Sequence, residues 1–186
     1  MKKLMVLLGV AACAVGVQAA SLNWNISAIP SSADASAKGS GYLAYLFVTT
    51  QSSDFGASTT TADAATAALT GGTFKDYVSS YAAATGTANA NGLVTGATGY
   101  NGNNFGAGDS LSAFAVIIDS SSIDSFDNYI VTDVKSAAWT SGTGSKNLLF
   151  GSQASATYQP ASVPEPTSGL LLVLGMAGLA LRRKHS

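Results

Sequence analysis

Cysteine and histidine are almost missing from this 186-residue chain. Cys13 and His185 are the only two, and each lies in a terminal segment. The body between Ala20 and Val163 has neither. A Ser-His-Asp triad, a Cys-His pair and zinc sites built on His or Cys are therefore excluded there. Disulfides are excluded too, so the fold must be held by burial. Charge is scarce: only 10% of residues carry it. Five of the nine basic residues, Lys2, Lys3, Arg182, Arg183 and Lys184, sit at the two ends. Between them four lysines face nine aspartates, a net of −5. A faintly acidic body lacks the Lys and Arg that phosphates require, which argues against a nucleic-acid partner.

Phosphate loops are lacking as well. "ANANGLVTGATGYNGNNFGAGD" and "SGTGSKN" are rich in Gly and Asn. Neither offers Gly-Lys-Ser/Thr or a strand-turn-helix setting. No cofactor and no metal is expected from these patterns. The aspartates Asp119, Asp124, Asp127 and Asp133 cluster, but not at EF-hand spacing. Such residues usually serve turns by local hydrogen bonding. A pair of them could act as acid and base on a glycoside, the common hydrolytic scheme needing no His or Cys. Nothing in their spacing selects a pair, so the expectation is that the chain is not an enzyme.

What is present begins with "MKKLMVLLGVAACAVGVQAA". Lys2 and Lys3 form a basic start, Leu4 to Val17 an apolar core, and Val17-Gln18-Ala19 a small-residue exit. That is the build of a secretory signal over residues 1–19, cleaved between Ala19 and Ala20 by signal peptidase. An alternative is lipidation of Cys13, since Val10-Ala11-Ala12-Cys13 loosely resembles a lipobox.

The body, residues 20–158, reads as mainly β. In "SLNWNIS" Leu22, Trp24 and Ile26 alternate with Asn23 and Asn25, as in a half-buried strand. "GYLAYLFVTT" and "SLSAFAVIID" are apolar on both faces and suit central strands. "DNYIVTDVKSAAW", "KNLLFG" and "QASATYQ" extend the set. Trp24 and Trp139, on strand patterns, are expected in the core. One packed helix is expected near 73–85, capped by Thr73, with Phe74, Tyr77, Val78 and Tyr81 on one stripe and Gly86 ending it. A shorter Ala-rich turn precedes it at Asp63 to Leu69. Residues 85–109 read as a long surface loop with a short strand at Leu93-Val94. The expected architecture is an antiparallel β-sandwich-like or α+β domain. Residues 159–166 read as an extended, Pro-containing linker.

The chain closes on "VPEPTSGLLLVLGMAGLALRRKHS". The uncharged stretch Gly169 to Leu181 covers about 20 Å as a helix, against a hydrocarbon core of about 30 Å. Arg182, Arg183 and Lys184 can snorkel and stay cytoplasmic, stopping transfer once the body is exported. Pro164-Glu165-Pro166-Thr167, a short apolar helix over 168–181 and a basic end at 182–184 together resemble the PEP-CTERM sorting signal, here residues 163–186. The resemblance covers this tail alone. It implies a Gram-negative bacterium and recognition by an exosortase, a membrane-embedded cysteine transpeptidase-like enzyme, with cleavage near Pro164, Glu165 and Pro166. It further implies transient membrane attachment, then release or attachment at the surface, in cells that make exopolysaccharide and biofilm. For the body three roles stay open: a structural or adhesive surface protein, a secreted carbohydrate-binding module, and a carboxylate-dependent glycosidase.

Overall fold

A computed structural model describes residues 20–49, 59–100, 108–138 and 144–161. The expected signal at 1–19, Trp139 and the whole sorting tail lie outside the described residues. The fold is mainly β, with nine strands and two helices among the described residues. In chain order these are β1 (Ala20–Ser27), β2 (Leu43–Val48), α1 (Ala62–Thr70), α2 (Phe74–Tyr81), β3 (Ala82–Thr87), β4 (Val94–Tyr100), β5 (Ser110–Ile118), β6 (Asn128–Val131), β7 (Lys135–Ala138), β8 (Lys146–Ser152) and β9 (Gln159–Pro160).

Two sheets result. The first runs β4-β1-β8 and the second β3-β2-β5-β6-β9, with β7 also on β5. All pairings are antiparallel except β1 with β8, which is parallel. The alternation in "SLNWNIS" puts Leu22, Trp24 and Ile26 inside, beside Val94, Leu148 and Phe150. They meet Ala44, Leu46, Val48, Leu111, Ala113, Ala115 and Ile117 of the second sheet. The reverse face of β2 and β5 presents Tyr45, Phe47, Phe114, Val116 and Ile118 to Ala65, Ala68, Leu69 and Phe74 of the helices. Strands β2 and β5 are thus covered on both sides, the arrangement their unbroken apolar runs require.

The helical region departs from expectation. Two helices replace the single one near 73–85. The Ala-rich segment is a full helix, α1, capped by the Thr61 side chain, which accepts the Ala64 N–H at 3.2 Å. Thr73 makes no side-chain cap to α2. That helix stops at Tyr81, and the chain turns at once into β3, where Leu46 pairs with Ala84 and Ala44 with Gly86. Ala82 to Ala84 favour helix intrinsically, but the open edge of β2 offers their backbone a tertiary partner, and that outweighs a small propensity. Gly86 therefore ends no helix. It lies within β3, at a position that needs glycine because a Cβ there would come 2.6 Å from Val94 Cγ1 and 3.2 Å from the Trp24 ring.

Within the expected loop over 85–109, residues 85–87 belong to β3 and 94–100 to β4. A tight turn at Asn89 to Leu93 takes the chain from β3 in one sheet to β4 in the other, with the Asn89 carboxamide accepting the N–H groups of Asn91 and Leu93. The single strand read over Asp127 to Trp139 divides at Thr132 to Val134 into β6 and β7. Buried Thr132 bridges the gap: its hydroxyl accepts the Ala115 N–H at 2.9 Å, and its own N–H donates to the Ala115 carbonyl. "QASATYQ" is a turn rather than a strand over most of its length, closed by Ala156 N–H to Gln153 O. Pairing resumes at Gln159–Pro160, the start of the segment read as linker. No helix among the described residues is long and apolar enough to cross a membrane.

Candidate functional site

The described body meets the ends expected to be processed at two places. Ala20, the residue expected to follow the front cut, opens β1 and pairs with Tyr100. At the other end β9 lies on the edge of the second sheet, and Ala161 N–H donates to Asp127 O at 2.8 Å. Tyr158 locks the approach to β9. Its hydroxyl donates to Pro30 O at 2.8 Å, and its ring meets Tyr42 edge-on at 6.3 Å. Burial, helped by the nearby Tyr42 and Asp119 charges, pushes the Tyr158 phenol far above its usual value. The residues read as sorting motif (Pro164, Glu165, Pro166), stop-transfer cluster (Arg182, Arg183, Lys184) and the donor side of the front cut (Ala19) lie outside the described residues.

The clustered aspartates do not converge. Asp119 is a loop clip: Oδ1 accepts the N–H groups of Asp127 and Asn128 at 3.0 and 2.9 Å, and Oδ2 accepts Asn128 Nδ2 at 2.8 Å. Burial raises its pKa, but the hydrogen bonds from Asn128, Ser32 and Asp127 outweigh burial and hold the carboxyl below its ordinary value. Asp124 instead pairs with Lys75 at 2.7 Å on the surface. No group of three or more His, Cys, Asp or Glu side chains gathers at metal-binding distance among the described residues.

The aromatic stripe of α2 packs on the sheet, as its spacing suggests: Phe47 stacks on Phe114 and tilts against Tyr77, while Phe74 meets Tyr45 edge-on. Trp24 is only 2% exposed and offers no platform to a ligand.

One surface was not legible beforehand. The outer face of β4-β1-β8 carries Asn23 and Asn25 from β1, Asn147 and Leu149 from β8, and Thr95 and Ala97 from β4 around a shallow cavity of about 480 Å³. Asn23 Nδ2 donates to Asn147 Oδ1 at 3.1 Å, and Ser21 Oγ donates to Ser145 Oγ at 2.9 Å. The surface has hydrogen-bonding amides and hydroxyls, no charged side chain in its lining, and a large apolar residue, Leu149, 66% exposed, beside Ala97 and the edge of Trp24. Sequence alternation marks Asn23 and Asn25 as outward-facing. It cannot show that Asn147, far along the chain, lies beside them, because that depends on the parallel β1–β8 pairing.

The described residues end at Ala161, just before the tail read as a sorting signal. That tail, residues 162–184, matches the family model of the PEP-CTERM protein-sorting motif. The motif marks the chain for export through the membrane toward the cell surface and for exosortase processing. No curated protein and no solved structure matches the chain.

Proposed function

We propose that the chain is a non-enzymatic protein of the cell surface or extracellular matrix, whose body is structural or adhesive. The carrying observation is the sorting motif at residues 162–184. In this reading residues 1–19 are a signal removed after Ala19. The helix over 168–181 and Arg182 to Lys184 hold the exported body at the membrane, and an exosortase cuts near Pro164-Glu165-Pro166. The stacking of the β4-β1-β8 sheet on the larger sheet supports a β-sandwich with a helical third layer. Asp119, clipped to its own loop, and Asp124, paired with Lys75, are engaged separately, which supports a body without a hydrolytic centre. Mass spectrometry of the mature protein tests the processing: it should begin at Ala20 and lack everything after about Pro166. A mature chain ending in Ser186 refutes the sorting step, and a lipidated Cys13 replaces the front half with the lipoprotein route.

A second reading, a carbohydrate-binding module, draws on the amide face. Carboxamides and hydroxyls on an uncharged surface match a neutral, hydroxyl-rich polymer such as an exopolysaccharide. Sedimentation of the protein with the cells' own polysaccharide tests it. Asn23→Ala with Asn147→Ala should abolish co-sedimentation if this face is the binding surface, and unchanged binding removes the reading.

A further inference from the structure

We infer that strand β4 is a docking edge for a second copy of this chain, which pairs with it antiparallel about a two-fold axis at Ala97. The inference goes beyond the proposed function and needs neither of the proposed cuts.

A strand at the end of a sheet turns half of its backbone N–H and C=O groups away from its neighbour, and another chain can pair with them. Natural proteins guard such edges with proline, lysine, a bulge or a very short strand. The other edge strands here carry such a guard. Strand β9 is two residues long and contains Pro160. Strand β7 begins with Lys135. Strand β3 holds an extra residue, Ala83, between the partners of Leu46 and Phe47, a bulge that twists its ladder. Strand β8 opens on Lys146 and slips register between Leu149 and Ser152. Strand β4 has none of these. It is seven residues long, "VTGATGY", without charge or proline. Its ladder to β1 runs unshifted from Tyr100 to Val94, and among the described residues β1 is its only strand partner.

Charge and the order of side chains select a second copy as the occupant. The body between Ala20 and Val163 has four lysines against nine aspartates, a net of −5. Two such bodies repel least where charge is absent. Neither β4 nor the shallow cavity beside it has a charged side chain. A basic partner would call for acidic side chains along this edge, and β4 offers none. A two-fold axis at Ala97, the middle residue, lays the strand against its own reverse. Val94 then opposes Tyr100, Thr95 opposes Gly99, Gly96 opposes Thr98, and Ala97 opposes its own copy. No like charges face each other in this register, and each threonine meets a glycine. The pairing joins the two β4-β1-β8 sheets into one. Thr95 and Ala97 are exposed and line the amide face, so the amide faces of the two copies become continuous.

The test is made on the full chain in its producing cell. Ala97→Cys places two thiols opposite each other at the axis, within the Cα separation a disulfide spans. Mild oxidation of the cells should link this variant into a species of twice the chain's mass. The parent and Ser79→Cys, an exposed site on α2, should stay unlinked. Linking of Ala97→Cys no greater than that of Ser79→Cys overturns the inference, and so does an adduct carrying a different protein. Sedimentation of the purified protein supplies a second measure. Thr95→Lys with Ala97→Lys sets ammonium groups against each other across the axis and should weaken the dimer by at least about tenfold. An unchanged dimer, or a parent that sediments only as a monomer, overturns the inference. If the lysines unfold the body, the smaller exchange to cysteine still decides the matter. None of these readouts depends on where either end of the chain is cut.

Discussion

Trp24 and Gly96 face each other across β1 and β4, and each residue explains the other. The indole lies over a backbone with no Cβ: one added at Gly96 would fall against Nε1 and 2.5 Å from Cε2. Gly96→Ala should therefore destabilise the body by about 1–3 kcal/mol, the usual range for overpacking a core that cannot yield. Urea unfolding followed by Trp fluorescence measures it, and an unchanged midpoint would show that the indole is free to move. The role of Trp24 could be read from alternation; that of Gly96 could not, because it comes from a cross-strand neighbour. Asp119 is the second residue-scale case. Its folded pKa is depressed, so its stabilising effect is present above the unfolded value of about 3.9 and is lost as pH falls through the folded one. Asp119→Asn should cost about 1 kcal/mol at pH 7, screening at this half-buried site keeping the loss small. The gap between variant and parent should begin to narrow below about pH 4 and close only once the pH has fallen through the depressed folded value, as both approach a neutral side chain. A gap that persists at low pH would mean the clip works by shape and not by charge.

Among the elements, the strands with a strong pattern were readable and those without one were not. "SLNWNIS" and "SLSAFAVIID" carry their burial in their spelling, as strands β1 and β5 confirm. Strand β4, "VTGATGY", has Gly twice and no apolar alternation, so its place depends wholly on pairing with β1. The junction of α2 and β3 was misread for the reverse reason: a helix-forming sequence was captured by a sheet edge. Helix α1 was underestimated because alanines give no amphipathic signal, although Ala65, Ala68 and Leu69 form a buried stripe. Its start rests on Thr61. Thr61→Ala should cost about 1 kcal/mol, the usual loss for an N-cap, without changing the β signal. Circular dichroism during urea titration separates the two, and no shift in midpoint would show that burial of Ala65, Ala68 and Leu69 alone holds the helix.

At the scale of the whole molecule, address and body follow different rules. The sorting signal is contiguous, so its residues stand in order in the sequence and were readable in full. The amide face gathers Asn23 and Asn147 from 124 positions apart, and only the fold brings them together. The same contrast predicts how the tail should fail. In the proposed reading, anchoring and recognition lie in separate parts of it, basic residues in one and Pro-Glu-Pro in the other. Replacing Arg182, Arg183 and Lys184 with Gln removes the charges that stop transfer. Were it helical, the apolar stretch Gly169 to Leu181 would span about 20 Å against a core of about 30 Å, too short to hold firmly without those charges. The expected product is an uncut chain found soluble beyond the inner membrane. Replacing Glu165 and Pro166 with Ala leaves the anchor untouched, so the chain should stay uncut but in the membrane fraction. Fractionation followed by intact-mass measurement distinguishes the two. If both variants remain in the membrane, the apolar stretch anchors without the charges, and the basic end serves the processing enzyme instead.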